Sequence, residues 1–161
     1  MALADAGDRI LDDPSAGFVL LHLPVPHPEG IYDRTTDKFV LRHSSYIDNL
    51  ALTDKLLGHI RSKLEQSGQW DGSTIVVMAD HSWRTQLFWK ATPEWTKEEQ
   101  VASHGGAFDD RPVYIVKLPN QRTGARIDAP FAALDTRRLL DALLSQKIRS
   151  KEDLRAWAKQ Q

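Results

Sequence analysis

At 161 residues and 41% hydrophobic, the chain has enough apolar side chain for one ordinary globular domain and too little length for two comfortable ones. Its 21 basic and 22 acidic residues are interspersed to a net charge of −1, which excludes the basic stripe that nucleic-acid binding requires. Cysteine is absent, so disulfides and thiolate metal sites are excluded; no apolar run reaches the ~20 residues of a membrane span, and no signal-peptide pattern opens the chain, so it is expected to be soluble as given.

Ala2 to Asp13 can form a short helix, interrupted by Gly7 and stopped at Asp12-Asp13-Pro14. Phe18 to Leu23 is a continuous apolar run entered through Ser15-Ala16-Gly17 and closed by Pro24, which predicts a buried strand. Pro24, Pro26 and Pro28 then forbid helix and stiffen the loop that carries His27. A rigid histidine after a strand is a candidate ligand, and the plain alternative is a proline-rich connector with an incidental histidine. Ile31 to His43 reads as a polar, irregular loop.

Ser44 or Ser45 caps the clearest helix, from Tyr46 to about Gln66. Ile47, Leu50, Thr53, Leu57, Ile60 and Leu64 recur there at intervals of three and four, which predicts one core-facing stripe with His59 and Lys63 off it. The turn Ser67 to Gly72 leads into Thr74-Ile75-Val76-Val77-Met78-Ala79, an apolar run that predicts a buried strand of a parallel sheet. Phe18 to Ala79 is thus expected to be a right-handed strand, helix, strand crossover.

The second strand ends in Asp80-His81. In open parallel sheets ligands sit beyond the carboxyl ends of the strands, and a carboxylate beside an imidazole suits a divalent cation such as zinc or manganese. The alternative is a helix N-cap aspartate followed by a surface histidine.

Between Ser82 and Gln100, Trp83, Phe88, Trp89 and Trp95 follow no clean period; aromatics on such a loop can line a cleft, cover a core edge or meet a partner. Paired glycines after His104 permit close backbone approach to a bound group. Val113 to Leu118 predicts a third strand. Asp135-Thr136 caps a helix with Leu139, Leu140, Leu143 and Leu144 on one face, and Ser150-Lys151-Glu152-Asp153 opens a last one as a capping box.

Taken in series, these pieces resemble the sulfatase-like members of the alkaline phosphatase superfamily, particularly the phosphoethanolamine transferase branch. Leu20-Leu21-His22 through His27 to Tyr32 is similar to that family's strand and histidine loop, and Tyr46 with Asp48-Asn49 and Thr53-Asp54 to its helix start. Ile75 to His81 resembles its metal-binding strand, and His104-Gly105 its later His-Gly. Where the family has Gly after Asp-His, this chain has Ser82-Trp83-Arg84.

The resemblance implies an α/β fold with a mostly parallel sheet and flanking helices. It implies Asp80 and His81 as metal ligands, with His27 and His104 holding phosphate or sulfate oxygens or, in some branches, a second metal, and His22 as a weaker candidate. The metal would be zinc, manganese or calcium in the intact protein, and this chain alone is expected to bind it weakly or not at all. Because no residue before Phe18 matches the family's early metal carboxylate and nucleophile, the chain is expected to be one domain, the C-terminal half of a catalytic domain. Its partners would be the missing N-terminal half and a phosphate- or sulfate-ester substrate, and the intact protein would be membrane-anchored with this part outside the cytoplasm. Two other readings compete: a non-catalytic α/β module that binds a partner or self-associates through a sheet edge or the tryptophans, and a small metalloenzyme built from His27, His81 and His104.

Overall fold

The computed structural model describes residues 2–13, 15–27, 30–41, 44–86 and 95–160. In chain order its elements are α1 (Ala2–Leu11), β1 (Tyr32–Asp33), β2 (Lys38–Phe39), α2 (Tyr46–Gln66), β3 (Ile75–Met78), α3 (Lys97–Ala102), β4 (Tyr114–Lys117), a 3-10 turn (Ala133–Asp135), α4 (Thr136–Leu144) and α5 (Lys151–Ala158). They form two compact units, Met1–Ser67 with His81–Arg111, and Gly68–Asp80 with Pro112–Gln161. Pro14 and Pro28, the loop residue His43, and Phe88 and Trp89 lie outside the described residues.

The first unit is organised on α2. Ser45 caps it as expected: its side chain accepts from the Asp48 amide while Asp48 accepts from the Ser45 amide, which completes a capping box. At the other end Ser67 is the C-cap and Gly68 takes φ +73°, the left-handed conformation that glycine adopts without a Cβ clash. The buried face differs from the predicted stripe. Asn49, Leu52 and Leu64 are buried, whereas Leu50 is 39% exposed. α1, β1 and α3 all contact α2, so its covered surface is broader than a single stripe. Leu11 of α1, Leu21, Leu23, Leu56 and Ile60 line a common apolar cleft. At its flank, His59 Nε2 lies 2.8 Å from Asp8 Oδ1 and Lys63 Nζ 2.9 Å from Asp12 Oδ2, which gives a role to the two residues that fell off the stripe.

Phe18 to Leu23 does not form the predicted buried strand. It is an extended segment with strict alternation: Val19, Leu21 and Leu23 are half-buried, while Phe18 and Leu20 are 56% and 80% exposed. Among the described residues it makes no backbone–backbone hydrogen bond. An apolar run specifies that a segment can be extended and one-sided; a ladder also needs a neighbour in register, which comes from elsewhere in the chain.

The expected irregular loop at Ile31–His43 contains a short hairpin, with Tyr32 paired to Phe39 and Asp33 to Lys38. Its turn is closed by Asp33, whose carboxylate accepts from the Thr35 hydroxyl at 2.6 Å, the Thr36 hydroxyl at 2.8 Å and the Thr35 amide at 2.8 Å. These donors, the Thr35 hydroxyl foremost, hold the carboxyl down at about 2. A depressed carboxyl contributes stability above its unfolded value near ~4 and loses it as pH falls through the folded one. The Thr35 and Thr36 amide resonances should therefore keep their chemical shifts down to about pH 4 and move between about pH 4 and about pH 2. Titration near pH 4, with the shape of a free aspartate, would show that the turn does not hold Asp33.

In the second unit, β3 and β4 pair antiparallel, with Ile75 opposite Lys117, Val76 opposite Val116, Val77 opposite Ile115 and Met78 opposite Tyr114. This overturns the mostly parallel sheet and the right-handed crossover. Both sheets in the described residues are two-stranded and antiparallel. The strands themselves lie where the apolar runs predicted them, but β3 is half-buried and Met78 is 41% exposed. A continuous apolar run does not encode the direction of its neighbour. The approach to β3 is clamped instead by β4 and the turn after it. Lys117 Nζ donates to the carbonyls of Ser73, at 2.8 Å, and Trp70, the Asn120 amide donates to Asp71 O at 2.7 Å, and Arg122 pairs with the Asp71 carboxylate.

The core of this unit is Leu118, Leu139, Ala142 and Ile148, with Tyr114, Val116, Phe131 and Trp157 packed against it. α4 buries Leu139 and Ala142 and leaves Leu144 62% exposed, so the four-leucine face is narrower than predicted. The Ser150–Asp153 capping box of α5 is present as expected.

Candidate functional site

The Ala79 amide extends the ladder beyond β3 by donating to Val113 O at 3.2 Å, and Asp80 follows with its side chain exposed. Asp80 closes one stretch of the second unit and His81 opens a stretch of the first. His81 is half-buried, and its Nδ1 lies 2.7 Å from the carbonyl oxygen of Ser82. A carbonyl only accepts, so Nδ1 carries the hydrogen, and in the neutral ring the lone pair is on Nε2. That tautomer is the one a backbone carbonyl imposes on a metal-binding imidazole.

After His81 the chain is anchored by burial and hydrogen bonding. Trp83 stacks on Tyr46 with ring centroids 4.7 Å apart and an interplanar angle of 11°, and Trp83 and Trp95 are 5.7 Å apart. Burial here pushes the Tyr46 hydroxyl up to about 12. These two tryptophans therefore help build the first unit. Thr85 is 1% exposed, and its hydroxyl lies 3.0 Å from Gly106 O and 3.3 Å from Ala107 O. One buried side chain thus ties the segment that follows His81 to the segment that follows His104.

His104 stands just beyond α3, whose start is capped by Thr96 in a capping box with Glu99. It is exposed, with φ +51°, and Gly105 and Gly106 follow at +82° and +79°. A left-handed φ costs a residue with a Cβ roughly 1–2 kcal/mol, so glycine would be the less strained occupant of position 104. The paired glycines do not offer their amides to a ligand. Gly105 N–H donates to Gln100 O at 2.7 Å and Gly106 N–H to Ser103 Oγ at 2.8 Å, so both serve the turn that ends α3.

His27 lies in the proline-rich loop, exposed, beside the cis Val25–Pro26 bond. Its backbone carbonyl accepts from Asn49 Nδ2 at 2.7 Å, and Asn49 Oδ1 accepts from the Ile31 amide at 3.1 Å. Asn49 is 1% exposed. His22 is exposed on the same outward side of the extended segment as Phe18 and Leu20.

Glu99 is fully buried and was not singled out by its sequence context. Its carboxylate accepts from the Tyr46 amide at 2.8 Å, the Thr96 amide at 2.7 Å and the Thr96 hydroxyl at 2.9 Å, so it joins the starts of α2 and α3. Arg34 reinforces the same junction through Asp48, at 3.1 Å, and Glu98, and its guanidinium holds the Glu98 carboxyl below the usual range. The Thr-x-x-Glu pattern at Thr96 was a readable capping signal, but the reach of Glu99 to Tyr46 was not.

Among the described residues, no three His, Cys, Asp or Glu side chains gather as a metal-binding group. Zinc takes about four protein or water donors and calcium roughly six to eight oxygens, so Asp80 and His81 alone do not constitute a site for either. The sulfatase family model matches residues 2–114, a span that runs from α1 to the first residue of β4. No curated protein and no solved structure matches the chain.

Proposed function

Because this chain belongs to the sulfatase family, in the alkaline phosphatase superfamily, we propose that it forms part of a hydrolase or transferase acting on sulfate or phosphate esters. In this reading His27 and His104, with His22 at the margin, donate N–H groups to the anionic ester oxygens. Asp80 and His81 supply two donors toward a divalent cation, and the remaining donors and the nucleophile come from polypeptide other than these 161 residues. The observation that carries the reading is the Asp80–His81 step beyond β3, inside the family match, with the His81 tautomer set by the Ser82 carbonyl. A membrane anchor outside these residues belongs to the same proposal; among the described residues no helix is long and apolar enough to cross a membrane.

Metal binding by this chain should be weak, because ligands must be deprotonated and pre-positioned and two donors are too few. The test is hydrolysis of 4-nitrophenyl sulfate and 4-nitrophenyl phosphate in the presence of zinc, manganese or calcium. It would be run on the 161-residue chain and on a version extended by any coding sequence in frame before Met1. No turnover by the chain and turnover by the extended protein is the expected result. Turnover by the 161 residues alone would defeat the shared-site reading, and tight stoichiometric zinc without turnover would favour a separate small metal site.

One observation favours a second reading, self-association. The extended segment Phe18 to Leu23 exposes Phe18 and Leu20 and makes no backbone–backbone hydrogen bond among the described residues, which is the condition of an open strand edge. Light scattering over a concentration series separates the two, since a Leu20→Lys change should dissolve such a dimer and leave a monomeric chain unaffected.

A further inference from the structure

Asn49 and Glu99 are among the most deeply buried polar side chains of the first unit, and each makes hydrogen bonds far from its own position in sequence. Asn49 uses both ends of its amide on the loop that bears His27: the nitrogen donates to the His27 carbonyl and the oxygen accepts from the Ile31 amide. Glu99 uses its side chain on the first residue of α2, through the Tyr46 amide, and its own carbonyl on the Ser103 amide, the C-cap next to His104. α2 therefore lies between two buried polar anchors. One is four positions inside its N-cap and the other sits across its first turn.

We infer that Asn49 and Glu99 are positioning residues, which set the placement of His27 and His104 relative to each other through the start of α2. The inference rests on the reading of those two histidines as contacts to ester oxygens. Neither Asn49 nor Glu99 needs to touch the ester. A planar amide held at both ends fixes the backbone on either side of the loop, and a carboxylate that accepts from Thr96, the N-cap of α3, on one oxygen and from the Tyr46 amide on the other ties α3 to α2. His104 gains a second constraint from the left-handed turn that follows α3. One helix start thus links the two histidine-bearing segments through buried hydrogen bonds, which is how a site holds its groups to the tolerance that oxyanion recognition demands.

The experiment is histidine-selective NMR and amide hydrogen exchange on the full 161-residue chain and its Asn49→Asp and Glu99→Gln variants. Asn49→Asp keeps an acceptor for the Ile31 amide and removes the donor to the His27 carbonyl. The expected result is a shifted or broadened His27 ring signal with the Ile31 amide still protected and the His104 ring unmoved. Glu99→Gln keeps one acceptor oxygen and turns the other into an NH2 donor, so the Tyr46 and Thr96 bonds can no longer all be made; it should move the His104 signal, leave His27 in place and speed exchange of the Tyr46 or the Thr96 amide by ~10-fold, the loss of about one hydrogen bond. The His59 ring, on the far part of α2 and facing Asp8 of α1, reports whether the unit is still folded. Unmoved His27 and His104 signals in folded variants, or an equal shift of all the rings, would overturn the inference. Should a variant fail to fold, wild-type exchange decides: fast-exchanging Ile31 and Tyr46 amides overturn it, and slow ones support it. Ester turnover is a separate readout, so its absence from the extended protein with both rings responding as expected would remove the ester reading and leave the positioning intact.

Discussion

Gly30→Ala should lose about 3 kcal/mol of stability, seen as a lowered urea midpoint with an unchanged slope. A Cβ at this position would lie 1.9 Å from Ser44 Oγ, 2.3 Å from the Ser44 carbonyl oxygen and 2.6 Å from its carbon. The first of these contacts belongs to a side chain that could rotate; the other two are backbone, so the chain itself must move. Both sides of the contact are committed. Gly30 precedes Ile31, whose amide bonds to Asn49, and Ser44 precedes Ser45, the N-cap of α2. Ser44 is 6% exposed, and among the described residues its buried hydroxyl has no hydrogen-bond partner, so little space is available for relaxation. Adding Ser44→Ala to Gly30→Ala should recover only part of the loss, because it removes the oxygen of the side chain and leaves the carbonyl. A Gly30→Ala protein within ~0.5 kcal/mol of the parent would mean that the two strands of chain are farther apart than this.

Leu139→Ala should cost a similar amount, about 3 kcal/mol within the ~2–5 typical of such truncations. Leu139 is 2% exposed and shares the core of the second unit with Leu118, Ala142 and Ile148. Truncation removes transfer energy and leaves a cavity that Tyr114, Phe131 and Trp157 must line, and these rings already touch edge to face or tilted at 4.7 and 6.0 Å. Near-UV circular dichroism should report their loosening as the transition midpoint falls. The control is Leu144→Ala on the same helix: at 62% exposed it should change stability by less than ~0.5 kcal/mol. Equal losses at the two positions would mean that α4 is rotated from the orientation described.

The leucine comparison also marks the limit of periodicity. Leu139, Leu140, Leu143 and Leu144 are equally good candidates by spacing, and the helix can face all four toward a neighbour only if that neighbour is wide. Here Ile148, just past the end of α4, donates its amide to Ala142 O and joins the core, while Leu144 stands 62% exposed. Likewise Leu50 on α2 satisfies the spacing and stands exposed, whereas Leu52 and Asn49 are covered.

What the sequence by itself determined is local chemistry and kinship. The caps at Ser45 and Ser150, the stop at Ser67-Gly68 and the places of β3 and β4 depend on groups within a few residues of one another, and the order of the histidine and aspartate motifs carried the resemblance that the family match bears out. The tertiary structure alone decided strand direction, the fate of Phe18 to Leu23 and the buried anchors of the histidines. The antiparallel pairing of β3 with β4, the bond from Ile31 to Asn49 across 18 positions and that from Tyr46 to Glu99 across 53 join groups whose meeting no short window encodes. A cap is closed by rotating a few torsions, whereas each of these contacts requires a long loop to close first, so its partner is selected by how the rest of the chain packs.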